Sequence, residues 1–175
     1  MVRTASGPVV RSHAMDGSLH PDVEDLGFLL GTWRGTGRGE YPTIDPFDYE
    51  EEIVVEHGGD AWLAYRQTSR DPVSGSALHW ERGFLRPGAA PGTVELLLAH
   101  PIGVVEVAHG SHDATSLRTA TDDPGLVGRT RTGSDVTGLV RRYLVRDDEL
   151  SYEIDMATER TPMTRHLVAT LRRQP

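Results

Sequence analysis

The chain of 175 residues contains no cysteine. Disulfides, thiolate nucleophiles and cysteine-ligated zinc or iron–sulfur centres are therefore excluded. No apolar run approaches the roughly 20 residues that a membrane-spanning helix needs. No apolar h-region follows the N-terminus, so no secretory signal is expected and the expected setting is cytoplasmic. A basic excess is also missing: 18 Lys and Arg stand against 26 Asp and Glu, a formal net charge of -8. Nucleic acid is not an expected partner, because no spare positive charge meets its phosphates, and the lack of a long apolar run leaves a membrane unexpected too. The charges are interspersed, which suits a solvated surface. Helical periodicity is scarce as well, and what replaces it is a strand rhythm.

Residues 31–42 read Gly31-Thr32-Trp33-Arg34-Gly35-Thr36-Gly37-Arg38-Gly39-Glu40-Tyr41-Pro42. Glycine or an aromatic residue falls on every second position, the period at which strand side chains return to one face. One face carries Gly31, Trp33, Gly35, Gly37, Gly39 and Tyr41. The other carries Thr32, Arg34, Thr36, Arg38 and Glu40, which suits water. A face stripped of side chains implies that something bulky approaches the backbone, or that the strand bends sharply. Both alternatives suit the first strand of a small barrel.

Before this strand, His20-Pro21-Asp22 opens a short helical piece with acids at its positive end and Leu26, Leu29 and Leu30 along one edge, ending at Gly31. Such a piece can plug one end of a barrel. Residues 1–18 lack an apolar period and read as a disordered extension; residues 19–175 read as one domain. After Tyr41 the expected strands cover 47–56, 61–69, 77–86, 93–99, 104–109, 116–120, 126–131, 137–146, 150–158 and 163–172. Turn signals every 8–12 residues or so argue an all-β barrel or sandwich.

Several catalytic patterns are missing. There is no H-E-x-x-H pair for zinc, and Gly35-x-Gly37-x-Gly39 is not a dinucleotide fingerprint. In Glu50-Glu51-Glu52 adjacent acids face opposite ways, which disfavours a glycosidase pair. Eight histidines are present. His13, His20, His57, His109 and His112 fall in loops, at strand ends or in the N-terminal segment and read as surface residues. His79, His100 and His166 lie in or at the ends of strands. His166 is either a structural strand histidine or a metal or haem-iron ligand, and alternation does not say which face of its strand is inside. His79 and His100 are either distal groups over a bound iron or ordinary lumen histidines.

The pattern Gly-x-Trp-x-Gly-x-Gly-x-Gly-x-Tyr-Pro after a Leu-rich helical piece, with a His-Leu pair (His166-Leu167) near the C-terminus, resembles the nitrobindin family. The likeness spans about residues 19–173. It implies an all-β fold: a single antiparallel β-barrel of about ten strands, similar to fatty-acid-binding proteins, with a short N-terminal helical plug. It implies one haem b per chain, with His166 as axial ligand to the iron and as the catalytic residue. Thr43 and Arg141 match haem-contacting positions, and Gly35 and Gly37 would let the haem approach the first strand. The family converts peroxynitrite to nitrate and binds nitric oxide, so these are the implied small-molecule ligands. A weak homodimer across an exposed haem edge is a further expectation. The competing expectation is a non-catalytic carrier barrel of the lipocalin or fatty-acid-binding type, with Arg141 or Arg165 available for a ligand carboxylate.

Overall fold

In a computed structural model the chain is described over residues 18–175. The expected N-terminal extension therefore lies, apart from Ser18, outside the described residues, as does His13. Eleven strands follow one short helical piece: β1 (Gly31–Tyr41), β2 (Ile44–His57), β3 (Leu63–Arg70), β4 (Ala77–Pro87), β5 (Thr93–His100), β6 (Val104–His112), β7 (Ser116–Ala120), β8 (Leu126–Arg129), β9 (Val136–Arg146), β10 (Glu149–Thr158) and β11 (Thr164–Arg173). Each differs from its expected span by a few residues at most.

All pairings are antiparallel. The sheet runs β5-β4-β3-β2-β1-β11-β10-β9-β7-β6-β8, and β5 also pairs with β6. Ten strands thus close into a ring, and closure leaves no long edge to aggregate. β8 is the extra strand. It pairs with the first half of β6 (Val104–Val107), while β7 takes the second half (His109–His112).

Inward positions alternate with outward ones. On β1 the buried positions are Trp33, Gly39 and Tyr41, and the charged parity faces water. Across the outer face Arg34 and Arg66 both bridge Glu52, at 2.7 and 3.1 Å. Such exposed pairs add about 0–1 kcal/mol each, so they orient strands more than they stabilise them. The interior of Trp33, Ile53, Leu63, Leu85, Leu96, Leu150 and Leu171 is almost fully shielded from solvent and carries the hydrophobic free energy.

The plug is a 3-10 helix over Pro21–Leu29, burying Val23, Leu26 and Leu29. Trp33 seals this end from within, its indole N–H donating to the Leu29 carbonyl at 2.9 Å. The Arg173 guanidinium lies 4.1 Å from the Trp33 ring centre and donates to the carbonyls of Phe28 and Leu30. Gly31 sits at φ 121°, a conformation side chains resist, and so turns the chain from plug to barrel.

The bare face of β1 also has a packing cause. Gly37 and Gly39 stand opposite Tyr49 and Phe47 on β2. A Cβ at Gly37 would run into the Tyr49 ring, and one at Gly39 into the Phe47 ring. Each aromatic ring lies across its partner glycine, a pairing that covers the glycine backbone. At Gly35 a Cβ would meet the Thr170 carbonyl of β11, so here two backbones approach closely.

Candidate functional site

At the end opposite the plug the barrel opens into a cavity of about 330 Å³. Ile44, Leu78 and Ile102 line it and are each more than 40% exposed, which marks them as its rim. Phe47, Leu139, Met156 and Leu167 are among its apolar wall residues, and its floor is polar.

His166 lines this cavity, and so does its neighbour Leu167. Regular alternation would send adjacent side chains to opposite faces. The register explains the exception. Leu167 pairs with Ile154 and Arg165 with Asp155, leaving His166 as the extra residue of a β-bulge. A bulge re-aims a side chain locally. Arg165 points outward, bridging Asp155 at 2.6 Å and Glu153 at 2.7 Å.

The imidazole is fixed on two sides. Its Nδ1 lies 3.1 Å from the Glu40 carbonyl, which can only accept, so Nδ1 carries the proton of the neutral ring. The Tyr41 ring packs edge-on at 5.3 Å. Tyr41 is itself tied by its hydroxyl to the Met156 carbonyl at 3.1 Å. Burial lowers the His166 pKa, against the raising effect of the Glu40 hydrogen bond. A neutral ring protonated at Nδ1 keeps its lone pair at Nε2, the form in which histidine ligates metals.

The floor is a buried hydrogen-bonded network. Arg141 donates to both oxygens of Glu81 at 2.7 and 2.9 Å and to both oxygens of Glu106 at 3.0 and 2.9 Å. It also donates to the Tyr143 hydroxyl at 3.3 Å. Tyr143 continues through Tyr65 and Gln67 to Glu51, Tyr152 and Tyr49. Burial opposes the charge on Arg141, but Glu106 and Glu81 outweigh it and hold the guanidinium firmly protonated. Burial likewise opposes ionisation of Glu81, but the Arg141 charge and hydrogen bonds from His79 and Arg141 keep its carboxyl below the usual range. Glu51 has no such neighbour in contact. Burial pushes it up to about 7, beyond what hydrogen bonds from Tyr152 and Gln67 can offset.

Thr43 is exposed in the β1–β2 turn, beside the rim residue Ile44. Arg141 lines the cavity with its guanidinium fully engaged by the two carboxylates. Arg142, its neighbour, faces outward to Asp155 at 2.6 Å. Neither Gly35 nor Gly37 is among the lining residues; Tyr49 and Phe47 stand between the glycine strip and the cavity. His79 and His100 both line the cavity and are 3.1 Å apart, Nε2 to Nδ1. The acids Glu51, Glu81 and Glu106 are the site residues that motif reading passes over. Their signal is an acid on the inward parity of a strand, as in Val104-x-Glu106-x-Ala108.

A plugged ten-stranded antiparallel barrel with a histidine-bearing open cavity defines a class of small-ligand-binding barrels. Residues 22–173 match the family described as THAP4-like, heme-binding beta-barrel domain, and the chain belongs to this nitrobindin family of haem-binding barrels. It is 44% identical over 164 residues to peroxynitrite isomerase 2 of Mycobacterium marinum, covering 91% of this chain and 99% of that protein. It is 45% identical over 157 residues to the peroxynitrite isomerase of Nocardia farcinica, covering 89% and 93%. The crystal structure of Rv2717c from M. tuberculosis superposes with a TM-score of 0.86 at 42% identity, covering 90% of this chain and all of that one. Membership in a haem-binding family favours the haem barrel over the carrier alternative.

Proposed function

We propose that the chain holds haem b through His166, one haem per chain, and converts peroxynitrite to nitrate. The observation that carries this reading is the state of His166: a bulge turns it into the cavity, and Glu40 fixes the tautomer that leaves Nε2 free. An apolar wall with an apolar rim and one neutral nitrogen ligand fits a flat macrocycle whose metal needs one protein ligand. The names of the relatives supply the reaction.

Haem iron, when bound, supplies a Lewis-acidic position that polarises an oxygen ligand. The protein's own residues do the rest. His166 anchors the group, and Tyr41 and Glu40 keep its ring from rotating. Phe47, Leu139, Met156 and Leu167 give the cavity an apolar wall that disfavours water. Glu81 and Glu106 outnumber Arg141, so the floor's own side chains carry no spare positive charge. Thr43 offers a hydroxyl near the rim, Arg141 acts from the floor through its carboxylates, Gly37 acts through the Tyr49 ring it seats, and Gly35 acts through the close approach of β1 to β11 that it permits. Nitric oxide, a small diatomic, would reach the same iron. A weak homodimer in the cytoplasm completes the reading; an outward row of Phe84, Leu97, Val107 and Leu126, paired strand to strand, supports it.

Rapid mixing with peroxynitrite tests the activity. Haem-loaded protein should speed its decay over haem-free protein, with nitrate as product. Equal rates would leave a haem carrier and remove the enzyme.

A further inference from the structure

At the cavity floor three potential ligand atoms converge. His79 Nε2 and His100 Nδ1 are 3.1 Å apart. Glu81 Oε2 lies 3.5 Å from the first and 3.3 Å from the second. A tetrahedral zinc ion with nitrogen and oxygen ligands at about 2.0–2.1 Å requires ligand atoms roughly 3.3–3.4 Å apart. The observed triangle has the size of one face of that tetrahedron.

The surroundings match as well. Metal-bound histidines pass their second ring N–H to a carboxylate or carbonyl, which fixes the tautomer. His100 Nε2 is buried, lies 3.4 Å from Glu106 Oε2, and has no hydrogen-bond partner. An ion on Nδ1 would place the proton on Nε2, facing Glu106. Glu81 already receives Arg141 on both oxygens, the support that ligating carboxylates commonly have. His100 and Glu81 are 4% and 2% exposed at the side chain, whereas His79 is 31% exposed and gives an entry path.

We propose that His79, Glu81 and His100 form a His2Glu site for a divalent transition-metal ion of the zinc class, with its open coordination facing the cavity that His166 also lines. Two imidazoles and one carboxylate suit zinc or ferrous iron rather than calcium or magnesium. With two of its neighbours acidic and one basic, the floor has net negative charge for such an ion to offset. An open position there would take an anionic oxygen, on a different metal from the haem iron. The inference does not rest on the haem reading.

The test uses the full chain stripped of metal by a chelator. Co(II), a coloured substitute for zinc, should bind at one equivalent and give the intense visible bands of four- or five-coordinate cobalt, and Zn(II) should bleach them. His79→Ala and Glu81→Gln should weaken Zn(II) binding by more than the roughly 10–100-fold that losing an outer partner costs. His79→Ala, at a half-open position, should keep the wild-type circular dichroism. His166→Ala should keep the cobalt spectrum while losing haem. Absence of a stoichiometric cobalt band in the wild type overturns the proposal. So does a band that survives His79→Ala and Glu81→Gln, or one that disappears with His166→Ala.

Discussion

Glu51 is a buried acid whose protonation should be visible in stability. It lies on β2 between Tyr49 and Ile53 on the inward parity, accepting from Tyr152 at 2.6 Å and from Gln67. Burial raises its pKa from 4.5 to about 7. At about 1.4 kcal/mol for each tenfold change in acidity, that rise corresponds to about 3 kcal/mol. The folded state binds this proton more tightly than the unfolded chain. The stability it contributes is therefore fully present below pH 4.5 and is lost as pH rises through about 7. Glu51→Gln removes the titration and keeps an acceptor for Gln67. Urea unfolding of both proteins across this pH range isolates the effect, since every other group cancels in the difference. The variant should gain about 3 kcal/mol relative to wild type between the acid and neutral ends. Parallel profiles, or a gain in the opposite direction, would refute the reasoning and show that the network keeps Glu51 ionised.

Three further outcomes follow from packing. Arg141→Met strands Glu81 and Glu106 without their cation and should cost about 3–5 kcal/mol, a Tm loss of roughly 6–20 °C by calorimetry, partly restored by adding Glu81→Gln. Gly37→Ala pushes against the Tyr49 ring and should cost about 1–3 kcal/mol and weaken haem uptake, whereas Gly35→Ala meets the Thr170 carbonyl, which cannot rotate away, and should cost more; equal unfolding midpoints would contradict this ordering. Trp33→Ala empties the sealed end beneath the plug and should cost about 3–5 kcal/mol in urea unfolding, with Arg173 left without its ring.

Much of the barrel is legible locally. Pro and Gly mark the turns, alternation marks the strands, and the Gly31–Tyr41 pattern marks β1 with its correct inner face. His166 shows where this stops. Alternation groups it with Val168 and Thr170, both of which face outward, and only the bulge opposite Ile154 and Asp155 turns it into the cavity. A bulge depends on the partner strand, which local pattern does not contain. The glycine strip teaches the same lesson: its aromatic cover comes from Tyr49 and Phe47, set by the β1–β2 register. Glu81 and Glu106 are each readable as inward residues, but their convergence on Arg141 joins β4, β6 and β9 and exists only once the ring has closed.

The most direct measurement is a haemin titration of the wild type and His166→Ala, followed by the Soret absorbance. The wild type should take up one haem per chain with a sharp Soret band, and His166→Ala should lose or strongly weaken it while its circular dichroism stays unchanged. A Soret band of equal position and strength in the variant would contradict His166 as the ligand.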